Sequence, residues 1–234
     1  MTTAPRDLFL CLDTSTTTAR VAILDGDGAV AFASEATADR HSSHVLSLCA
    51  AAMAAVGRAP ADLAGIACGG GPGSFTGLRV GLAAAKGLAL PTEVPLFVVS
   101  SLEALALDIL GARRGAEVTA IPCLDAGKGE VYAAAYVADG ARLVRETLPS
   151  VRLTPTQLLP WIAALPSPIL AGNGAERYRD LLALAGVAEI AGPTAVSIGR
   201  LALLQRARGE VADLATAVPF YGRPPDITVK RQPG

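Results

Sequence analysis

The chain has 234 residues, of which 51% are hydrophobic and 18% are charged, and its formal net charge is −1. A chain of this length buries enough surface to fold as one large domain or two small lobes without a disulfide or a structural metal. The composition excludes disorder as the dominant state. The near-neutral charge excludes non-specific nucleic-acid binding, which requires a basic surface. We therefore expect any nucleic-acid contact to be shared with a partner.

The most apolar stretch, residues 76–90, contains Arg79 and Lys86, whereas a membrane-spanning helix needs about 20 largely apolar residues. The N-terminal residues have no apolar signal-peptide core. The four cysteines lie singly in apolar runs without a CxxC pair, which favours buried reduced thiols over a zinc site or disulfides. They are Cys11, Cys49, Cys68 and Cys123. We expect a cytoplasmic protein with no membrane association.

Two segments of the chain, 112 residues apart, share one pattern. Each begins with Cys-Leu-Asp, at Cys11 and Cys123, and each continues with Asp-Gly-Ala at Asp27 and Asp139 after thirteen intervening residues. Both are typical of a buried strand ending in Asp, a turn of small residues, a second strand and an Asp-Gly hairpin turn into a third strand. This repetition predicts two lobes of the same topology.

The remaining elements are predicted in chain order. In the first lobe, a helix at 43–56 precedes a buried strand at 65–69, a glycine-rich loop at 69–77, a helix at 76–90 and a strand at 96–99. In the second lobe, we predict strands near 118–124, 131–137, 142–148 and 169–170, and helices near 155–165, 175–185 and 194–208.

This order predicts an α/β fold of two duplicated lobes, each a mixed sheet with helices on its faces. It is the plan of the actin, Hsp70 and sugar-kinase superfold, which holds ATP between the lobes. We assign residues 1–100 to an N-terminal lobe and 101–234 to a C-terminal lobe. The last helix, near 194–208, belongs to the C-terminal lobe in sequence but can pack against the N-terminal lobe.

The glycine-rich loop and two strand-end aspartates are the candidate nucleotide contacts. The loop lacks both the Lys-Ser/Thr of a Walker A motif and the GxGxxG spacing. Two interpretations of the loop are open. We favour a structural turn in which glycines adopt positive φ, and the alternative is a phosphate bound by the free N–H groups at the start of the following helix. The aspartates are candidates for metal–phosphate coordination or base catalysis, but Asp at a strand end more often caps the neighbouring turn. We expect no required cofactor, and a weak or vestigial ATP contact would use Asp13, Thr14, Gly71 and Asp125.

The two N-terminal helices carry a different signal. Gly77, Gly81 and Ala85 recur every four residues, and glycine costs about 1 kcal/mol in a helix interior relative to alanine, so this spacing predicts a close backbone approach. The helix at 43–56 is apolar all round and must be covered on all sides. Either the second lobe covers part of this pair or, as we favour, another protein does. The predicted partner interface comprises Leu46, Cys49, Ala50, Met53, Gly77, Val80, Gly81, Ala84 and Ala85.

The same exposed pair can self-associate, so a homodimer of the isolated chain is compatible with this interpretation, although the sequence does not fix the oligomeric state. For the heterodimer, we predict that Gly81→Leu abolishes the complex while the protein stays folded. The two histidines, His41 and His44, have only Asp39 as an acidic neighbour, so we predict no metal site. No Ser-His-Asp pattern or GxSxG motif is present in the sequence.

Five stretches together resemble the TsaB family, the partner subunits of the bacterial machinery that makes threonylcarbamoyladenosine in tRNA. The most specific is Gly-Pro-Gly-Ser-Phe-Thr-Gly-Leu-Arg at residues 71–79. The others are Leu-Asp-Thr-Ser at 12–15, His-Ser-Ser-His at 41–44, Asp-Ala with Gly-Glu-Val-Tyr at 125–132, and Pro-Phe-Tyr-Gly-Arg-Pro-Pro-Asp at 219–226. The resemblance covers nearly the whole chain in the same order.

The resemblance implies a non-catalytic subunit that binds the catalytic subunit TsaD through the two N-terminal helices. Together with the ATPase TsaE, it would support threonylcarbamoyl transfer to the adenosine beside the anticodon, contacting tRNA only within the complex. The metal-binding histidine pair of TsaD would align with Ser101 and Leu105, which cannot replace imidazole as ligands.

Two alternatives remain. An ATP-dependent small-molecule kinase of the same superfold would need a phosphate cradle and a base supplied by Asp13 or Asp125. A glycoprotease-like peptidase is less favoured, because the metal ligands are missing and no nucleophile–base pair replaces them.

Overall fold

The computed structural model describes residues 7–37, 43–113, 117–140, 143–182 and 186–220. Two of the sequence motifs are only partly covered. His41 and Ser42 of the histidine motif and residues 221–226 of the C-terminal motif lie outside the described residues.

The first sheet contains the five strands of the N-terminal part, and its order is β3-β2-β1-β4-β5. The first three strands pair antiparallel, and β4 and β5 add in parallel on the other side of β1. The strands are β1 (Phe9–Asp13), β2 (Thr18–Leu24), β3 (Val30–Thr37), β4 (Gly65–Gly71) and β5 (Leu96–Ser100).

The second sheet repeats this arrangement with the order β10-β9-β6-β7-β8. Again three antiparallel strands are followed by two parallel strands on the other side of the first. The strands are β6 (Thr119–Gly127), β7 (Glu130–Asp139), β8 (Leu143–Leu153), β9 (Pro168–Ala171) and β10 (Gly186–Val187). The predicted duplicated α/β fold is therefore confirmed, whereas β10 was not predicted.

Alternate residues of β1 point to opposite faces of the first sheet and into different cores. Leu10 and Leu12 pack with the helices α1 (Ser43–Val56) and α2 (Phe75–Ala89) on one face. Phe9 and Cys11 belong to the core on the other face, which the two sheets share. The α1–α2 pair therefore lies on the side of the first sheet that faces away from the second.

Two helices fill the space between the sheets. The helix α6 (Ala195–Ala207) packs against β1, β2, β4 and β5 of the first sheet. Its approach is close, because a Cβ atom at Gly199 would lie 2.6 Å from Cys11 Sγ. The helix α3 (Ser101–Gly111) contacts β6 and β7 of the second sheet and also α6. Leu102, Leu105 and Ile109 of α3 are fully buried in the shared core.

The helices predicted from the sequence need three corrections. No helix was predicted at α3, although it joins the two sheets. The helix predicted at 175–185 is wrong, since the structure has only the short α5 (Asn173–Arg177). The predicted helix at 155–165 is a 3₁₀ turn at Pro155–Leu158 followed by α4 (Leu159–Ala164).

Two further expectations concern membranes and thiols. Among the described residues, no helix combines the length and apolar character needed to cross a membrane. All four cysteines are buried, as the sequence predicted.

Candidate functional site

An apolar groove runs between α1 and α2 on the outer face of the first sheet. It has a volume of about 690 Å³. Val45 and Leu46 line it from α1, and Leu46 is 50% exposed. The lining from α2 consists of Arg79, Val80, Ala83, Ala84, Gly87 and Leu88. Small and aliphatic side chains on both helices leave this space open, so it can receive an apolar element of another chain.

The outer surface of α1 is apolar but only partly matches the predicted partner interface. Leu46 and Ala50 are exposed, together with Ala54 one turn further on. Cys49 and Met53 are only 2% and 6% exposed, because they pack towards the sheet. These two residues therefore support the groove from beneath and do not form its surface.

The small-residue stripe of α2 contacts the chain itself. A Cβ atom at Gly77 would collide with the Thr14 carbonyl oxygen, and one at Gly81 would collide with Thr14 Oγ1. The Thr14 hydroxyl donates a hydrogen bond to the Gly77 carbonyl oxygen at 2.8 Å. The close backbone approach that the glycine spacing predicted is therefore to the β1–β2 turn, which corrects the expected interface at Gly77 and Gly81.

The other α2 residues of the predicted interface divide between groove and core. Val80 and Ala84 line the groove, whereas Ala85 is fully buried against the sheet. Sequence reasoning missed Val45 of α1 and four groove residues of α2, because only their position between the two helices distinguishes them from other helix residues. The four residues of α2 are Arg79, Ala83, Gly87 and Leu88.

Asp13 ends β1 and joins three elements in a fully buried network. Its Oδ1 accepts hydrogen bonds from the Ser15 amide at 2.9 Å and the Ser15 hydroxyl at 2.7 Å. Its Oδ2 accepts one from the Ser101 hydroxyl at 3.1 Å, and Ser101 Oγ accepts one from the Gly71 amide at 3.2 Å. Burial raises the pKa of Asp13, and the hydrogen bonds from Ser15 and Ser101 oppose this shift. This carboxylate caps its own turn and anchors the glycine-rich loop.

The glycine-rich loop also contacts the C-terminal part of the chain. Gly71 has φ = +100°, and a Cβ atom there would lie 2.6 Å from the carbonyl oxygen of Phe220. The Phe220 amide donates a hydrogen bond to the Gly70 carbonyl oxygen at 2.7 Å. At the start of α2, the Ser74 side chain accepts a hydrogen bond from the Gly77 amide at 3.2 Å. The loop thus has the geometry of a structural turn.

Asp125 occupies the equivalent strand end in the second sheet and has different partners. Its Oδ1 accepts a hydrogen bond from the Gly127 amide at 3.0 Å, and its Oδ2 pairs with Arg177 Nη1 at 2.8 Å. The Asp125 amide donates to Asn173 Oδ1 at 3.0 Å. Of the four expected nucleotide contacts, Asp125 is therefore partly exposed, whereas Asp13, Thr14 and Gly71 are buried.

Ser101 and Leu105, for which the sequence resemblance implies a match to the TsaD histidines, are fully buried between the sheets. Ser101 uses its hydroxyl in the Asp13 network, and the Leu105 side chain lies beside Gly172. Within the described ranges, no group of three or more His, Cys, Asp or Glu side chains could hold a metal ion.

Comparison with known proteins agrees with this architecture. The family model for TsaD, described as tRNA N6-adenosine threonylcarbamoyltransferase, matches residues 32–161. The Escherichia coli protein named tRNA threonylcarbamoyladenosine biosynthesis protein TsaB is 30% identical over 97% of this chain and 98% of its own length. The Bacillus subtilis protein of the same name is 29% identical over 92% of this chain and 93% of its own length.

A solved structure extends the agreement to the fold. The structure titled YeaZ from Pseudomonas aeruginosa is 29% identical and superimposes with a TM-score of 0.79, covering 92% of this chain and 99% of that one. Sequence and fold therefore agree over most of the chain and most of each relative. The chain belongs to the TsaB family of tRNA threonylcarbamoyladenosine biosynthesis proteins, within the wider family that the TsaD model describes.

Proposed function

We propose that this protein takes part in the biosynthesis of threonylcarbamoyladenosine in tRNA as a non-catalytic subunit that binds TsaD through the groove between α1 and α2. Family membership supports the pathway, since the relatives are named for it. The observation that carries the proposed binding mode is the apolar groove itself. A groove of this kind typically receives the apolar face of a helix.

The energetics of the groove support a protein partner. Leu46 leaves half of its surface in water, and fully burying a leucine side chain contributes about 1.5–3 kcal/mol. Ala83 and Gly87 add little bulk, so a partner helix can approach the backbone of α2 closely. The Arg79 guanidinium lies 5.3 Å from the centre of the Phe75 ring. This cation–π contact holds the Arg79 side chain at the border of the groove.

The buried network supports the non-catalytic part of the proposal. Asp13 is enclosed and accepts three hydrogen bonds, and a general base must reach a proton of the substrate. Ser101 and Leu105 offer no metal ligand equivalent to histidine. We propose that the subunit needs no cofactor of its own, with at most weak ATP binding, and that transfer chemistry takes place on TsaD.

The other partners follow from the same assignment. The net charge of −1 supports contact with tRNA only inside the complex, and TsaE would act through the TsaD-bound form in the cytoplasm. Without TsaD, a second copy of the chain is the expected occupant of the groove.

A matched pair of variants tests the binding surface. Leu46→Asp places a charge in the groove, whereas Leu181→Asp makes the same change at a leucine of the second lobe that is 46% exposed. We expect Leu46→Asp to weaken TsaD binding at least tenfold by isothermal titration calorimetry, since burying an unpaired carboxylate is costly. Leu181→Asp should bind like the wild type. Equal affinity of both variants would refute the groove as the binding surface.

A further inference from the structure

Exposed apolar side chains lie beside the glycine-rich loop, where the chain segment that follows α6 reaches it. Val218 is 71% exposed and Phe220 is 55% exposed. Pro219 between them is buried, so the backbone lies against the protein while the two flanking side chains reach into solvent. Phe75, the first residue of α2, is 48% exposed. We call Phe75, Val218 and Phe220 the loop patch.

The three residues of the loop patch belong to one region of the surface. A Cβ atom at Gly71 would lie 2.6 Å from the carbonyl oxygen of Phe220 and 2.7 Å from Leu78 Cδ1. Leu78 is in the first turn of α2. The C-terminal segment therefore lies against the same helical turn that begins with Phe75.

The backbone of the C-terminal segment is held at both ends. The Ala212 amide donates a hydrogen bond to the Leu96 carbonyl oxygen at 2.8 Å, and the Phe220 amide donates one to the Gly70 carbonyl oxygen at 2.7 Å. A partner that binds a fixed backbone orders few additional groups, which lowers the entropic cost of binding. The loop patch is thus exposed and already ordered.

The loop patch is continuous with the α1–α2 groove through Arg79. The Arg79 guanidinium contacts the Phe75 ring, and the same side chain lines the groove. A protein that fills the groove at this end of α2 would therefore meet Phe75 next and the C-terminal segment beyond it. Because the three side chains of the patch are uncharged, they favour a protein surface over tRNA, whose phosphates attract cations.

We propose that the loop patch is a second contact surface for TsaD, which would cover it with an apolar surface while it fills the groove. This inference rests on the proposed function, because it takes TsaD to be the occupant of the groove. Exposed aromatic side chains on a rigid backbone are typical of the residues that dominate binding energy. The contact would also give a role to the C-terminal motif, which begins with Pro219 and Phe220 and which the groove does not use.

A matched pair of valine variants tests this surface by isothermal titration calorimetry with TsaD. Val218→Asp places a charge on the loop patch, and Val211→Asp makes the same change at a valine of the same segment that is 55% exposed. Val211 precedes Ala212, which pairs with the first residue of β5, whereas the loop patch lies at the opposite end of these parallel strands. We expect Val218→Asp to bind TsaD at least about tenfold more weakly than the wild type, and Val211→Asp to bind equally well.

Phe220→Ala tests the aromatic contact while it keeps the backbone hydrogen bond to Gly70. It should also weaken TsaD binding at least about tenfold. The melting curves of these variants should match the wild type, because the replaced side chains are exposed. If Phe220→Ala alters the melting curve, Val218→Asp and its control decide the question.

Leu46→Asp in the groove separates this inference from the proposed function. If Leu46→Asp weakens binding but Val218→Asp and Phe220→Ala bind like the wild type, the loop patch is not an interface and the groove proposal stands. If all three bind like the wild type, or if the wild type does not bind TsaD, both proposals are wrong. Equal losses in Val218→Asp and Val211→Asp would refute the loop patch, since position would then not matter. Unchanged TsaD affinity with weaker retention of tRNA by the complex would assign the patch to RNA and also refute it.

Discussion

Substitution of Gly81 by alanine tests how α2 is held against the β1–β2 turn. On an open helix surface this change stabilises a protein by about 1 kcal/mol through helix propensity. Here the new Cβ would collide with Thr14 Oγ1, whose hydroxyl bonds to the Gly77 carbonyl oxygen. Overpacking costs about 1–3 kcal/mol, and loss of a hydrogen bond costs about 1 kcal/mol. After the propensity gain, we expect a net destabilisation of about 1–3 kcal/mol.

The same helix offers a matched control. A Cβ atom at Gly87 meets no heavy atom within 4 Å, so Gly87→Ala should stabilise the protein by up to about 1 kcal/mol. Urea denaturation followed by circular dichroism measures both free energies of unfolding. If the collision is with the Thr14 side chain, Thr14→Ala combined with Gly81→Ala should be less destabilised than the sum of the single variants. A Gly81→Ala protein as stable as Gly87→Ala would refute this account.

Two further predictions concern buried ionisable groups. Because burial raises the pKa of Asp13, the folded state takes up a proton at a higher pH than the unfolded state does. The wild type should therefore gain stability relative to Asp13→Asn as pH falls from 7 towards the usual pKa of about 3.9. A difference in unfolding free energy that does not change with pH would contradict this. Burial also raises the pKa of Cys49 and of Cys123 to about 12, so neither thiol should react with iodoacetamide at pH 7.5 until urea unfolds the chain. Mass spectrometry should find the native protein unmodified at these positions, and rapid native labelling would contradict their burial.

The close contact between Gly81 and Thr14 also changes the expected effect of a larger side chain at position 81. From the sequence alone, Gly81→Leu was predicted to abolish the heterodimer in a folded protein. Because Gly81 faces Thr14 of the same chain, leucine there should disrupt the packing of α2 on the β1–β2 turn. A glycine stripe indicates that a backbone approaches closely, but it does not identify whose backbone that is.

The duplicated strand pattern predicted most of the fold. The Asp-Gly turns and the repeated Cys-Leu-Asp strand ends are local signals, and they predicted the positions of both three-strand units in the sequence. The bounds predicted for α1 match the structure, because an apolar run is bounded there by Ser43 and Gly57. The central helix α3 carries no such signal. It is buried between two sheets, so its apolar residues have no clear period, and only its tertiary position explains it.

The candidate site was predicted less completely, for a related reason. Both faces of α1 are apolar, so sequence could not distinguish the buried Cys49 and Met53 from the exposed Leu46 and Ala50. Contact with the sheet makes this distinction.

Reconstituted threonylcarbamoyl transfer to tRNA is the measurement that tests the central claim most directly. The assay would contain TsaD and TsaE with this protein included, omitted, or replaced by Leu46→Asp or Leu181→Asp, and a further reaction would contain this protein without TsaD. The account predicts activity only when TsaD and this protein are both present, a loss with Leu46→Asp, and full activity with Leu181→Asp. Transfer by this protein without TsaD, or transfer unaffected by its omission, would contradict the account.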